Sequence, residues 1–173
     1  MGRLAIYPGS FDPVTYGHLD VMKRAVSIFG QVIVAVADNP SKKYLFSHEE
    51  RLQILLEATR GMKGIKIETF NSLVTDYAKK KKTNVLVRGL RMTSDFEYEF
   101  QMALTNRRLA EKIETVFLMP SERFSFLSAT LLKEAAKLGA DISSFVPKCV
   151  EKRLKERLTL DFSSEKSARR AAE

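Results

Sequence analysis

A histidine at the mouth of a helix, behind a turn rich in glycine and proline, is a device for holding phosphate. Residues 8–18 of this chain spell one: Pro8-Gly9-Ser10-Phe11-Asp12-Pro13-Val14-Thr15-Tyr16-Gly17-His18. From Leu19 the apolar residues Leu19, Met22, Val26 and Phe29 recur at helical spacing, which sets His18 in the first turn. Free backbone N–H groups and the positive end of the helix dipole gather there and favour an anion. The imidazole can then donate a hydrogen bond to a phosphate oxygen. Gly9, without a Cβ, lets backbone come close to a ligand, and Gly17 reaches dihedrals closed to other residues. Pro8 and Pro13 stiffen the loop. The competing role for His18 is a cap or a packed ring; a glycine-rich turn after a strand-like run favours the site for nucleotide phosphates.

The elements that aim this loop show in the alternation of β-branched apolar runs with helical patterns, which specifies βαβ units and a parallel sheet. Strands are expected at Leu4 to Tyr7, Val32 to Ala37, Ile65 to Phe70, Asn84 to Val87 and Thr115 to Met119, with a turn at Asn39-Pro40. Ser47 and Glu50 form a capping box for a helix carrying Leu52, Leu55, Leu56 and Thr59, ended by Gly61. A helix spans about Leu73 to Lys80, and Ser94 with Glu97 caps a long one containing Phe96, Phe100, Ala103 and Arg107. Another runs from about Ala129 to Leu138 and stops at Gly139. Pro147 opens the last, with Val150, Leu154 and Leu158 on one face. Residues 160–173 lack periodicity and read as a disordered tail. The expected fold is α/β: one doubly wound, Rossmann-like domain over residues 1–159, with a five-stranded parallel sheet and helices on both faces.

In such a sheet, ligands bind outside the carboxyl ends of the strands. Ser10 follows the first strand, Lys42 the second, Val74 the third, Arg88 to Arg91 the fourth and Ser121 to Thr130 the fifth. All emerge on one edge.

Composition narrows the ligand. A chain of 173 residues with 45% hydrophobic residues suits one soluble globular domain. No apolar run approaches the ~20 residues that span a bilayer, and the first residues enter a strand instead of a signal peptide. The single cysteine, Cys149, excludes an internal disulfide, reads as a packed residue and makes the cytoplasm the expected compartment. His48, the other histidine, reads as solvated. A net charge of +8 suits nucleic acid, an acidic membrane or small polyphosphates. The run Lys79 to Lys82, however, reads as a solvated helix end, and the aromatic and basic interleaving of a single-strand binder is missing. Neither nucleic acid nor membrane is expected as a partner.

A phosphate monoester, with a second pKa of about 6, is mostly dianionic at neutral pH. Its attack on a phosphorus of a bound nucleotide then needs no protein base. This fits a chain with no Ser-His-Asp constellation, no activated cysteine and no carboxylate pair in the first motif. The protein has two anions to align and spreading charge to stabilise.

The segment Gly9 to His18, G-S-F-D-P-V-T-Y-G-H, resembles the G-x-F-D-P-x-x-x-G-H signature of the nucleotidyltransferase superfamily related to class I aminoacyl-tRNA synthetases. Many members end it H-x-G-H. The T-x-G-H form here is similar to the bacterial phosphopantetheine adenylyltransferases. Pro40-Ser41-Lys42-Lys43, Val87-Arg88-Gly89-Leu90-Arg91, Asp95-Phe96-Glu97-Tyr98-Glu99 and Phe117-Leu118-Met119-Pro120 agree in order, over about residues 4–158. The resemblance implies a nucleotidyltransferase domain that joins ATP and 4′-phosphopantetheine into dephospho-coenzyme A and pyrophosphate by direct in-line attack. It gives catalytic roles to His18, as transition-state stabiliser, and to Lys42 and Arg91. Ser10, Phe11, His18, Gly89, Leu90, Arg91, Glu99 and the loop Phe124, Ser125, Phe126, Leu127, Ser128, Ala129 and Thr130 would bind ATP. Ser10, Lys42, Val74 and Arg88 would bind phosphopantetheine. Mg²⁺ would bridge the ATP phosphates with no protein ligand of its own, and the assembly would be a cytoplasmic homohexamer.

On the residues alone, Arg88 could be a surface ion-pair partner, Lys42 plain surface charge, and Glu99 a structural mate of Arg91 or Arg107. One departure stands out. The family's second signature reads I-S-S-S or I-S-S-T, whereas this chain has Leu127-Ser128-Ala129-Thr130. Two further functions compete: the same transfer to nicotinate mononucleotide, or to a phospho-alcohol with CTP, and a basic nucleic-acid-binding module without catalysis. Thr15, Lys42 and the Arg88 to Arg91 block argue against the first, and the convergence of phosphate-type residues on one edge against the second.

Overall fold

The computed structural model describes residues 3–39 and 41–171, apart from the side chains of Ser94 and of residues 160–171. Five strands, β1 (Leu4–Gly9), β2 (Gln31–Ala37), β3 (Ile65–Phe70), β4 (Val85–Gly89) and β5 (Glu114–Leu118), pair in parallel in the order β3-β2-β1-β4-β5. Among the described residues, seven helices connect and cover them: α1 (Tyr16–Phe29), α2 (His48–Ala58), α3 (Val74–Lys80), α4 (Thr93–Leu109), α5 (Glu122–Ser125), α6 (Ala129–Lys137) and α7 (Lys148–Ala171).

Alternation along the strands feeds two buried faces. Ala5, Tyr7, Val32, Val34, Val36, Val85 and Val87 pack with Leu19, Met22 and Ala25 of α1, Ile54 and Leu55 of α2, Leu132 of α6, and Val150 and Leu154 of α7. Ile6, Ile33, Ala35 and Leu86 meet Tyr77 and Ala78 of α3 on the other face. Each fully buried aliphatic side chain contributes about 1.5–3 kcal/mol. Right-handed crossovers place α1 and α2 on one face and, once the strand order reverses, α3 and α4 on the other. The reversal falls between β1 and β4, and opens a crevice at their carboxyl ends.

Element boundaries differ from the expected ones where they matter to the crevice. β1 runs on to Gly9 and β4 to Gly89, so Arg88 and Gly89 are strand residues and only the residues after them form the loop. The capping box expected at Ser47 and Glu50 is present: Glu50 N donates to Ser47 Oγ at 3.3 Å, and Ser47 N to the Glu50 carboxylate at 2.8 Å. α2 ends at Ala58, and Gly61 occupies the following turn with φ +83°. α4 does not begin with a Ser94–Glu97 cap. It starts at Thr93 with no side-chain cap hydrogen bond, and Asp95, in its first turn, instead pairs with Arg91. The backbone of α7 continues helical to Ala171, beyond the expected limit at 159. Pro40, half of the expected turn, and residues 172–173 of the expected tail lie outside the described residues.

Gly9 makes room for protein and not only for a ligand. A β-carbon there would stand 2.8 Å from Phe11 Cζ, and Phe11 is buried with φ +49°. Gly9→Ala is therefore expected to destabilise the fold by ~1–3 kcal/mol, the range for overpacking a filled core, read as a lower denaturation midpoint. Gly17 needs no special dihedral. It sits in the first turn of α1, and a β-carbon would meet only ordinary contacts at 3.5 Å from the Phe124 carbonyl and Thr15 Oγ1.

Candidate active site

A cavity of about 450 Å³ occupies the crevice. His18 lines it from the third position of α1. Thr15 is the N-cap, and the box closes both ways: His18 N donates to Thr15 Oγ1, and Thr15 N donates to His18 Nδ1 at 3.0 Å. An Nδ1 that accepts leaves the proton on Nε2. Burial first, then the positive charges of Arg91 and Arg88, push the imidazole pKa from 6.5 down to about 4. At neutral pH the ring is therefore an uncharged Nε2–H donor. The edge of Phe11 steadies it, with ring centroids 5.3 Å apart, and Tyr7 supports Phe11 at 5.5 Å. Burial raises the Tyr7 hydroxyl to about 12, so it too stays protonated.

Asp12, in the same loop, was not singled out by sequence reasoning, and it ties three segments together. Its carboxylate accepts from Leu45 N at 2.9 Å, Phe46 N at 3.0 Å and Lys133 Nζ at 2.8 Å. It therefore joins the loop after β1, the loop after β2 and α6. Lys133, Lys43, Tyr44 and Asp95 also line the cavity. Lys133 had a sequence signal, since position 133 follows Thr130 by three residues on one helix face. Asp12 had none, because its partners are 33 to 121 residues away.

Arg88 and Glu99 form a two-pronged pair, Nε to Oε2 at 2.7 Å and Nη2 to Oε1 at 2.5 Å, and Arg88 Nη1 donates to the Pro8 carbonyl at 2.6 Å. Glu99 thus pairs with neither Arg91 nor Arg107. Arg91 holds Asp95 with two hydrogen bonds of 2.9 and 3.1 Å and reaches the Leu127 carbonyl at 2.5 Å, while Arg107 holds Glu114. Through Leu127, Arg91 links the loop after β4 to the start of α6. All three carboxylates on the cavity wall, Asp12, Asp95 and Glu99, are engaged by cations. Lys42 and Lys43 have no carboxylate partner among the described residues and are exposed at the cavity rim.

The amino end of α6 supplies donors. Ser128 is the N-cap, and its hydroxyl accepts from Leu131 N. Its carbonyl takes Leu132 N. The N–H groups of Ala129 and Thr130 keep no protein acceptor among the described residues, and both residues line the cavity. Backbone N–H groups at a helix start can hold an anion without a side-chain hydroxyl. Ala129→Ser is expected to change the ATP KM by less than about threefold, under ~1 kcal/mol. Steady-state kinetics with varied ATP reads this directly.

Ser10, Phe11, His18, Lys42, Arg88, Gly89, Arg91, Glu99, Leu127, Ser128, Ala129 and Thr130 all line this one cavity. Other expected site residues lie outside its lining. Leu90 donates its N–H to Leu118 O. Phe124 stacks on Tyr16 with centroids 6.0 Å apart, Phe126 meets Phe145 edge-on, and Ser125 Oγ donates to Glu122 O. Phe124 and Ser125 belong to the short helix α5 and Phe126 is its C-cap; the start of α5 is fixed by Asp20 accepting from Ser121 N at 2.8 Å and Ser121 Oγ at 2.9 Å. Val74 opens α3 beyond β3 and packs against the Ile6 and Ile33 face. His48 is not freely solvated: it is half-buried, with Nδ1 3.4 Å from Arg51 Nη2 and 3.8 Å from Asp38. Cys149 is packed as expected, and burial pushes its thiol pKa up.

A family model described as cytidylyltransferase-like matches residues 6–135. Proteins named phosphopantetheine adenylyltransferase from Caldanaerobacter subterraneus subsp. tengcongensis, Desulfatibacillum aliphaticivorans and Desulfosudis oleivorans are each 50% identical to this chain. The alignments cover 90%, 91% and 90% of this chain and 97%, 90% and 93% of those proteins. Among solved structures, a putative nicotinate-nucleotide adenylyltransferase from Vibrio parahaemolyticus superimposes with a TM-score of 0.66 at 18% identity, over 91% of this chain and 95% of that one. That likeness shows the shared fold. Such identity along nearly the whole length places the chain in the cytidylyltransferase-like family, among the phosphopantetheine adenylyltransferases.

Proposed function

We propose that the chain transfers the adenylyl group of ATP to 4′-phosphopantetheine, giving dephospho-coenzyme A and pyrophosphate. An oxygen of the acceptor phosphate forms a bond to the α-phosphorus, the bond from that phosphorus to the β-bridging oxygen breaks, and the electron pair leaves with pyrophosphate. The observation that carries this reading is a neutral Nε2–H donor, His18, sharing one cavity with the N–H groups of Ala129 and Thr130 and with Lys42 and Lys43, which have no carboxylate partner among the described residues. One group of donors serves the reacting phosphorus, another the leaving phosphates, and the third the acceptor.

On this reading, Ser10 and Lys42 hold the acceptor phosphate with Arg88 beside them, and Val74 meets the acceptor's arm outside the cavity. Arg91, Gly89, Leu90 and the α5–α6 segment bound ATP, with Phe11 shelving His18. Glu99 acts through Arg88. Mg²⁺ arrives on the ATP phosphates as part of the substrate, since the wall carboxylates are already held by cations. The apolar residues Phe96, Phe100 and Leu104 of α4, 43%, 47% and 48% exposed, support assembly through that helix toward a homohexamer. The cytoplasm is the proposed compartment, on the single cysteine.

The test is pyrophosphate release by purified protein with MgATP and 4′-phosphopantetheine, nicotinate mononucleotide or no acceptor. Release with phosphopantetheine alone is expected. Equal release with nicotinate mononucleotide, or none with phosphopantetheine, overturns the reading.

A further inference from the structure

Among the described residues, Arg51 is the largest side chain completely withdrawn from solvent, with 0% side-chain exposure. It sits at the amino end of α2, where the helix dipole disfavours a cation. Among the described residues its ion-pair partner is Asp38, 3.6 Å from Nη2 and half exposed. Its Nε has no protein acceptor among the described residues. Burying a guanidinium with so little compensation is costly, and an apolar residue would serve the core better.

What the guanidinium holds gives the reason for it. Nη1 donates to the carbonyls of Ser10 and Ala37, both at 2.9 Å. Ser10 directly follows β1, and Ala37 is the last residue of β2. The planar face lies 3.9 Å from the centroid of the Tyr44 ring. Tyr44 directly follows Lys42 and Lys43 and lines the cavity. One rigid fork therefore sets the spacing of the two strand ends and clamps the loop that carries the free lysines.

We propose that Arg51 is a positioning residue for the acceptor subsite: it fixes the Ser10 backbone and, through Tyr44, the Lys42 loop, so that both address the same phosphate. The inference rests on the proposed acceptor. Arg51 itself does not line the cavity, and the contacts of Arg91 and of the amino end of α6 on the nucleotide side are not made to it.

Lysine keeps the charge but not the fork or the flat face. Arg51→Lys is expected to raise the KM for 4′-phosphopantetheine about tenfold, ~1.4 kcal/mol, with the ATP KM within about twofold of wild type. Tyr44→Leu, which leaves Arg51 in place, is expected to shift the same constant in the same direction and carries the test if Arg51→Lys does not fold. The double variant is expected to show less than the sum of the two effects, the mark of a shared contact. Any other pattern overturns the role: equal change in both KM values, or a lower melting temperature with both KM values intact. Wild-type turnover is read first. Its absence with phosphopantetheine overturns the proposed reaction itself, whereas an active wild type with unselective variants overturns only the role of Arg51.

Discussion

His18→Ala is expected to lower kcat about 10²–10³-fold, the loss seen when one preorganised donor to a transition state is removed. ATP affinity and the circular dichroism spectrum are expected to stay near wild type, because the ground-state phosphates keep the Ala129 and Thr130 N–H groups. With a pKa of about 4 in the fold against 6.5 as the ordinary value, the His18 imidazole stays an uncharged Nε2–H donor throughout the neutral range. The acid limb of the rate profile is then expected to follow the proposed acceptor phosphate, with its second pKa of about 6. Stability follows the opposite partner. The unfolded chain takes up the proton near 6.5 and the folded chain only near 4, so the His18 contribution is complete above pH 6.5 and is lost as pH falls toward 4. His18→Gln should flatten that part of the pH–stability curve in urea titrations. A kcat within a few-fold of wild type for a folded His18→Ala protein would remove the residue from the mechanism.

Arg88→Ala carries the largest expected effect on the fold. It would leave the Glu99 carboxylate, only 10% exposed, without its two hydrogen bonds, and the Pro8 carbonyl without its donor. Breaking a buried pair costs about 3–5 kcal/mol. A quarter of the Arg88 side chain reaches solvent, so ~3 kcal/mol is expected. Adding Glu99→Gln should return part of the loss, because the orphaned charge is gone. Urea midpoints of the two single variants and the double variant close the cycle. Additive losses would mean that the pair is not the source of the stability, and that Arg88 faces the acceptor alone.

The type and order of the elements were written in local patterns. β-branched runs of period two and apolar residues at helical spacing specify strands and helices over a few residues, and their alternation leaves few arrangements besides a doubly wound parallel sheet. That sheet brings the segments after β1, β2, β4 and β5 to one edge, so Ser10, His18, Lys42, Arg91 and the Ser128 to Thr130 cap could be assigned to a single site before any coordinates. Local chemistry also marked His18 for the first turn of α1, although Thr15 as its capping partner went unread.

Tertiary structure alone decided how the charges pair. Helical spacing offers Glu99 no arginine, so its partner depends on where β4 ends. Arg91 takes Asp95 at i+4 and Arg107 takes Glu114, which leaves Arg88, the next-to-last residue of β4, for Glu99. Asp12 reaches Lys133 across 121 residues, and Arg51 reaches Ser10 across 41. Nothing local distinguishes Arg51 from a surface arginine on α2, and nothing at Gly9 announces the ring of Phe11. Periodicity determines which face of an element is buried, but the direction of a buried charge is set by backbone carbonyls and carboxylates that only the packed strands and loops bring within 3 Å.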